Sequence, residues 1–182
     1  MRASKGFSLI ELIIAIVLIG IAVVGISVGL FPQSRQSAEL VLASRAAELG
    51  HAVMDEVISR KFDHNSGELG GLPVCISEDR ALVDDERPCT PLDGLGPDGN
   101  ESTWSEFNDV DDFDGSRGSV ADLLGEEIGA KYPNYFIAIR VFYDADLDGV
   151  ADEEKGDSKR IAVQITDPQG NHYDFAVYRG NF

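Results

Sequence analysis

Alternating aspartates occur in the stretch YDADLDGVADEE, residues 143–154. They stand at the first, third, fifth and ninth positions of a calcium-loop pattern, at Asp144, Asp146, Asp148 and Asp152. Gly149 supplies the sharp turn at the sixth position, and Val150 would offer its backbone carbonyl at the seventh. Because calcium binds six to eight oxygen atoms, this spacing predicts a Ca²⁺ site. Lys155 stands where a bidentate glutamate is expected, and the candidates to replace it are Glu153, Glu154 and Asp157. The alternative is an acidic, solvated hairpin loop.

A second acidic stretch, FNDVDDFDG, covers residues 107–115. Its polar residues lack the regular odd-position spacing of a calcium loop; they are Asn108, Asp109, Asp111, Asp112 and Asp114. Aromatic residues, including Trp104 and Phe107, flank or interrupt them. The stretch therefore has two interpretations, a second cation site or a turn whose aromatic side chains pack into the protein.

The two cysteines, Cys75 and Cys89, lie in a polar, turn-rich stretch. In an exported protein, two cysteines this close in sequence predict one disulfide that closes a short loop. The alternatives are two free thiols or half of a metal site. No further ligands at zinc spacing accompany the cysteines, and the three histidines are scattered along the chain.

The charge and the motifs argue against two classes of function. A formal net charge of −17 and a pI near 4.3 disfavour nucleic-acid binding, which requires clustered lysine and arginine. No nucleophile elbow, glycine-rich phosphate loop or HExxH motif is present, so we expect no enzymatic activity.

A nearly uninterrupted apolar run extends from Phe7 to Phe31, behind Arg2 and Lys5. A helix of this length spans roughly 37 Å, enough to cross a bilayer. Glu11 is the only ionisable residue in the run. Three interpretations compete: a cleaved secretory signal peptide, a plain transmembrane anchor, or a helix whose carboxylate acquires a cationic partner outside lipid.

The segment Lys5-Gly6-Phe7-Ser8-Leu9-Ile10-Glu11 resembles the processing site of type IV prepilins and pseudopilins. The resemblance implies that a prepilin peptidase cleaves between Gly6 and Phe7 and that the new amino group of Phe7 is methylated. It also implies that Glu11 pairs with the Phe7 amine of a neighbouring subunit when N-terminal helices bundle in a filament.

The central segment WSEFNDVDDFDG resembles the acidic motif of D-type minor pilins from mannose-sensitive haemagglutinin (MSHA) pilus systems. Together the two resemblances imply a minor pilin that is a single-pass inner-membrane protein, with its C-terminal domain periplasmic, before it enters an extracellular pilus. Its expected partners are prepilin peptidase and other pilin subunits. The competing functions are a type II secretion pseudopilin and a membrane-tethered, calcium-dependent adhesin.

The remaining pattern predicts an α+β domain behind this helix. One buried helix face is expected at Leu42, Ala46, Leu49, Val53 and Val57, because these residues recur at three- and four-residue steps. Three β-branched and aromatic segments predict antiparallel strands at Tyr135–Tyr143, Arg160–Thr166 and His172–Tyr178. A short strand at Leu72–Ile76 and a short helix at Val120–Ala130 are also expected.

The expected organisation is therefore a leader peptide (1–6), a transmembrane or filament-core helix (7–31) and a pilin-like α+β domain (32–182). Within that domain we expect an amphipathic helix (32–60), an irregular disulfide-stapled region (61–134) and antiparallel strands (135–182).

Overall fold

The computed structural model describes residues 6, 8–67 and 72–182, and of residues 28–37 it describes the backbone alone. The chain forms two compact units that divide after Val41, and each is described by itself. Apart from Gly6, the predicted leader peptide lies outside the described residues, and so does Phe7.

The first unit consists of the N-terminal part of helix α1, which runs from Leu9 to Ile58. The large apolar side chains between Leu9 and Ile26 are all 53–77% exposed. Residues Leu9–Ser27 form a helical segment long and apolar enough to cross a membrane, with a mean hydropathy of 3.0. This unit offers lipid or other helices an apolar surface on all sides.

The second unit, Leu42–Phe182, contains a four-stranded antiparallel sheet in the order β1-β2-β3-β4. The strands are β1 (Arg117–Ser119), β2 (Phe136–Tyr143), β3 (Ser158–Thr166) and β4 (His172–Gly180). The three predicted strands are confirmed as β2, β3 and β4. Their apolar residues alternate along the chain, so one face of the sheet can be buried. Strand β1 was not predicted; it is three residues long and contains a glycine.

The core forms between the C-terminal part of α1 and one face of the sheet. Four of the predicted helix positions are buried, at Ala46, Leu49, Val53 and Val57, and Leu42 is partly buried. They belong to the same apolar cluster as the inward-facing residues of β2 and β3, Ile137, Ile139, Val141, Ile161, Val163 and Ile165. The Phe175 ring lies where a side chain at Gly50 would project, so Gly50 permits a close approach of helix to sheet.

The region between α1 and β2 is mostly irregular, as expected. The predicted strand at Leu72–Ile76 is wrong: Ile76 forms one isolated bridge with Pro88, and Pro73 has no amide hydrogen to donate to a ladder. The predicted helix at 120–130 is divided into α2 (Val120–Leu124) and α3 (Glu126–Gly129). Gly125 separates them with a φ of +88°, which lies outside the helical region. Helix and antiparallel sheet together give the expected α+β, pilin-like architecture.

Candidate functional site

Glu11 lies in the first turn of α1, and its side chain is exposed on an otherwise apolar helix surface. The backbone carbonyl of Ser8 accepts hydrogen bonds from the amides of Glu11 and Leu12 at 3.0 and 3.2 Å. The helical geometry therefore begins just before the carboxylate. Gly6 is exposed, while the predicted cleavage and methylation involve Phe7 and remain predictions.

The predicted disulfide is present between Cys75 and Cys89, whose Cα atoms are 4.9 Å apart. Both cysteines are buried beside Phe62 and Tyr143 in a small apolar cluster separate from the main core. The Asn181 side-chain amide donates to the Cys75 carbonyl at 2.8 Å, which ties the C-terminal end of the chain to the disulfide loop.

The β2–β3 loop brings Asp144, Asp146 and Asp148 together, with one carboxylate oxygen from each within 4.8 Å of the others. The two oxygens of Asp144 accept hydrogen bonds from the amides of Asp148 and Gly149, at 3.0 and 2.9 Å. The Tyr178 hydroxyl donates to the same carboxylate at 2.8 Å. Burial raises the pKa of Asp144, but these hydrogen bonds outweigh burial and leave it below the ordinary value.

The remaining predicted ligands of this loop are placed differently. The Asp152 carboxylate accepts from the Ala145 amide at 2.7 Å and is not part of the three-residue group. The amide of Val150 donates to Asp148 Oδ1 at 2.7 Å. Lys155, at the twelfth position, points to Asp79, with 3.7 Å between Nζ and Oδ1. The three converging carboxylates suit a hard cation, so the residues fit part of a calcium site.

A buried ionic cluster that sequence reasoning missed is centred on Lys159. Its Nζ donates to Asp63 Oδ2 at 2.9 Å, to the Phe62 carbonyl at 3.0 Å and to Asp111 Oδ1. All three charged side chains are buried. The ammonium also lies 4.3 Å from the centre of the Phe62 ring, a cation–π contact.

The two aspartates of this cluster differ in how well the negative charge of each is stabilised. Burial raises the pKa of Asp63, but the Lys159 charge and the amides of Asn65 and Thr90 outweigh it and lower the pKa overall. Burial raises the pKa of Asp111 to about 6 despite the attraction of Lys159. The charged form of Asp63 is therefore better stabilised than that of Asp111, because Asp63 also accepts two backbone hydrogen bonds.

The acidic segment 107–115 is a turn with packed aromatic side chains. Phe107 and Phe113 are buried with ring centres 5.0 Å apart, and Trp104 lies 4.9 Å from Phe113. Asp114 Oδ1 accepts a hydrogen bond from the Val141 amide at 2.8 Å, which fastens the turn to β2. The packing interpretation of this segment is confirmed, and the cation interpretation stays a prediction.

Residues 1–27 match the family model described as the prokaryotic N-terminal methylation motif. The match is limited to the N-terminal segment, which includes the apolar part of α1, and the motif is of the kind that type IV prepilins and pseudopilins carry. Comparison with curated proteins and with solved structures found no match.

Proposed function

We propose that this chain is a minor subunit of an MSHA-type type IV pilus. Cleavage between Gly6 and Phe7 and methylation of Phe7 would produce the mature subunit. The helix would hold the subunit in the inner membrane, with residues 32–182 on the periplasmic side, until the subunit enters an extracellular filament. The observation that carries the proposal is the methylation motif on a helix whose apolar side chains are exposed all round.

The physical argument rests on Glu11. A carboxylate costs about 2.5–3.5 kcal/mol at the centre of a bilayer and less near its surface. Glu11 stands one helical turn beyond the proposed cleavage site, and cleavage would create a positive amine at Phe7. In a bundle of such helices, the carboxylate of one subunit and the amine of the next would neutralise each other and fix the axial register.

The MSHA assignment is supported by the resemblance of residues 104–115 to the acidic motif of D-type minor pilins. In such a filament the subunit would serve assembly initiation, adhesion or surface attachment.

The proposal is tested with Glu11→Gln, which removes the charge and keeps the size of the side chain. We expect the variant to be processed and folded normally but to be missing from filaments sheared from the cells. Ile13→Ala, a truncation at an exposed apolar position on the same helix, is the matched control and should enter filaments. Normal incorporation of Glu11→Gln would contradict the proposal.

Two further measurements separate this function from its competitors. The mass of the chain from native membranes should correspond to a start at methylated Phe7; a start near Leu30 would indicate an ordinary signal peptide. If deletion of the chain stops export of folded proteins and leaves surface pili unchanged, the chain is a type II secretion pseudopilin. Adhesion that depends on calcium but not on Glu11 would indicate a tethered adhesin.

Calcium binding by the β2–β3 loop is the second part of the proposal. The ligands would be Asp144, Asp146, Asp148 and Asp152 with the Val150 carbonyl, and the convergence of three of these carboxylates supports it. Calcium would supply a charge that holds the loop in one conformation.

For the full chain in detergent, we expect millimolar calcium to raise Tm by several degrees relative to chelator, because a ligand stabilises the state that binds it. Asp146→Asn should abolish this rise. Asp84→Asn, at an exposed aspartate outside the loop, should retain it. Identical melting curves of the parent chain in calcium and in chelator would exclude the site.

A further inference from the structure

Three loop segments of the globular unit meet at His64, Asp98 and Asp109. One potential ligand atom from each residue lies within 4.8 Å of the other two. His64 Nδ1 is 3.2 Å from Asp98 Oδ2, and both of these side chains are about half exposed. Asp109, in contrast, is fully buried. The cluster therefore has a buried carboxylate at its base and two accessible ligands at its rim.

The buried carboxylate of Asp109 is incompletely satisfied. Its Oδ1 accepts a hydrogen bond from the Asp111 amide at 2.8 Å. Its Oδ2 is buried and has no hydrogen-bond partner within the described part of the chain. A buried carboxylate oxygen without a donor is costly, so this oxygen requires a proton or a cation beside it.

Neighbouring negative charges increase the need for a proton or a cation beside Asp109. Asp111 and Asp112 both act on Asp109 as like charges. Lys159 donates its hydrogen bonds to Asp63 and Asp111, and its attraction for Asp109 is weaker than the combined effect of burial and the two like charges. The exposed groups within metal-ligand range of Asp109 are His64 and Asp98, and because Asp98 adds a further carboxylate, a cation is what the three together would bind.

We propose that His64, Asp98 and Asp109 bind one divalent metal ion of the zinc class. An imidazole nitrogen with two carboxylates suits zinc, whereas calcium takes oxygen ligands. Zinc–ligand distances of about 2.0–2.2 Å in a tetrahedron place neighbouring ligand atoms about 3.3 Å apart. His64 and Asp98, now paired directly at 3.2 Å, are thus close enough to bind one ion without moving apart, and the Asp109 ligand atom lies within 4.8 Å of both.

The location of the cluster decides whether an ion can reach it and what a bound ion would do. His64 and Asp98 line an open surface depression together with Glu101 and Glu106, so an ion can reach the cluster from solvent. Water would fill the fourth position of the tetrahedron. The bound ion would join three segments of the irregular region, as the disulfide joins two others.

The experiment uses the full chain in detergent, purified without a polyhistidine tag and stripped with chelator. The variants are His64→Gln and Asp109→Asn, which keep the approximate size of each side chain. His172→Gln is the matched control, because His172 lies on β4 and is exposed. Zinc binding is measured by titration and by the rise in Tm, and cobalt absorption reports whether the coordination is tetrahedral.

We expect one zinc ion per chain and a Tm rise of several degrees. His64→Gln and Asp109→Asn should each weaken binding at least about tenfold, because even residues behind metal ligands change affinity 10–100-fold. His172→Gln should bind as the parent chain does. Equal zinc affinity in all four proteins, or the absence of any zinc-dependent rise in Tm, would overturn the proposal. A calcium-dependent rise that His64→Gln leaves unchanged and Asp109→Asn removes would indicate an oxygen-only site and would also overturn it.

Discussion

The β2–β3 loop (144–152) and the acidic segment 107–115 are both rich in aspartate, but the carboxylates of the two segments differ in burial and in hydrogen bonding. In the loop, backbone amides and the Tyr178 hydroxyl donate to the carboxylate of Asp144, and Asp146 and Asp148 are exposed. In the turn, Asp109, Asp111 and Asp112 are buried, and one oxygen of each has no hydrogen-bond partner among the described residues. In the loop, where the aspartates are regularly spaced, the buried carboxylate has its hydrogen bonds. In the segment 107–115, where the spacing is irregular, the buried carboxylates require a positive charge from outside the segment.

Removal of Lys159 should give the largest effect on stability. Lys159→Met leaves Asp63 and Asp111 buried without their cation, and loss of one partner of a buried pair costs about 3–5 kcal/mol. Adding Asp111→Asn should restore part of the loss by removing one buried charge. Chemical denaturation of the full chain in detergent measures the change.

Lys155→Met is the matched control for this prediction. In the Lys155–Asp79 pair, Nζ and Oδ1 are 3.7 Å apart and Asp79 is fully exposed, so loss of the pair should leave the free energy of unfolding almost unchanged. If the two lysine substitutions lower the free energy of unfolding equally, the stability of the acidic segment does not depend on the charge of Lys159.

The pH dependence should have opposite signs in the two segments. Burial, with Asp111 and Asp112 nearby, raises the pKa of Asp109 to about 8 from an ordinary 3.8. Its stabilising contribution is therefore present below the ordinary pKa and is lost as the pH rises towards 8. The pKa of Asp144 is lowered, so its contribution is present above the ordinary value and is lost on acidification.

Denaturation in chelator across pH 4–8 measures this difference for Asp109→Asn, and a more acidic series measures it for Asp144→Asn. The parent chain should lose stability relative to Asp109→Asn as the pH rises. It should lose its advantage over Asp144→Asn as the pH falls. Parallel pH profiles of the two variants would remove the distinction between the segments.

The smallest effects on stability are expected from removing one tyrosine hydroxyl near each of the two segments. The hydroxyl of the buried Tyr143 donates to the part-buried Thr90 carbonyl at 2.7 Å, and Tyr178 donates to Asp144 at 2.8 Å. Tyr143→Phe should cost about 1–3 kcal/mol because the carbonyl loses a buried donor, and Tyr178→Phe should cost less because its hydroxyl is near solvent. Thermal melting measures both, and a larger loss for Tyr178→Phe would reverse the expected order.

The sequence predicted the main elements because their signals are local. The β-branched residues of β2 to β4 and the helical spacing from Leu42 to Val57 each define a buried face without reference to the rest of the chain. The disulfide was predictable for the same reason, since the two cysteines stand 14 residues apart. The calcium ligands and the processing of Phe7 stay predictions.

The buried ionic cluster and the proposed metal site depend on distant contacts. Lys159 shares a strand face with Ile161, Val163 and Ile165, so extending the predicted strand by one residue would have placed it inward. Nothing local, however, indicates that Asp63 and Asp111 lie beside it. His64, Asp98 and Asp109 likewise come from three loops, whose approach is set by tertiary packing rather than by spacing.

The Lys159 cluster also bears on the order in which the domain can be completed. Its members are separated by 48 or 96 residues, and Lys159 is the last of the three to be synthesised. Until that residue emerges, Asp63 and Asp111 can be buried only without their cation, which opposes early closure around them. The cluster thus favours a finished chain over a truncated one, and a ribosome-stalled chain that ends before residue 159 should remain open to proteases.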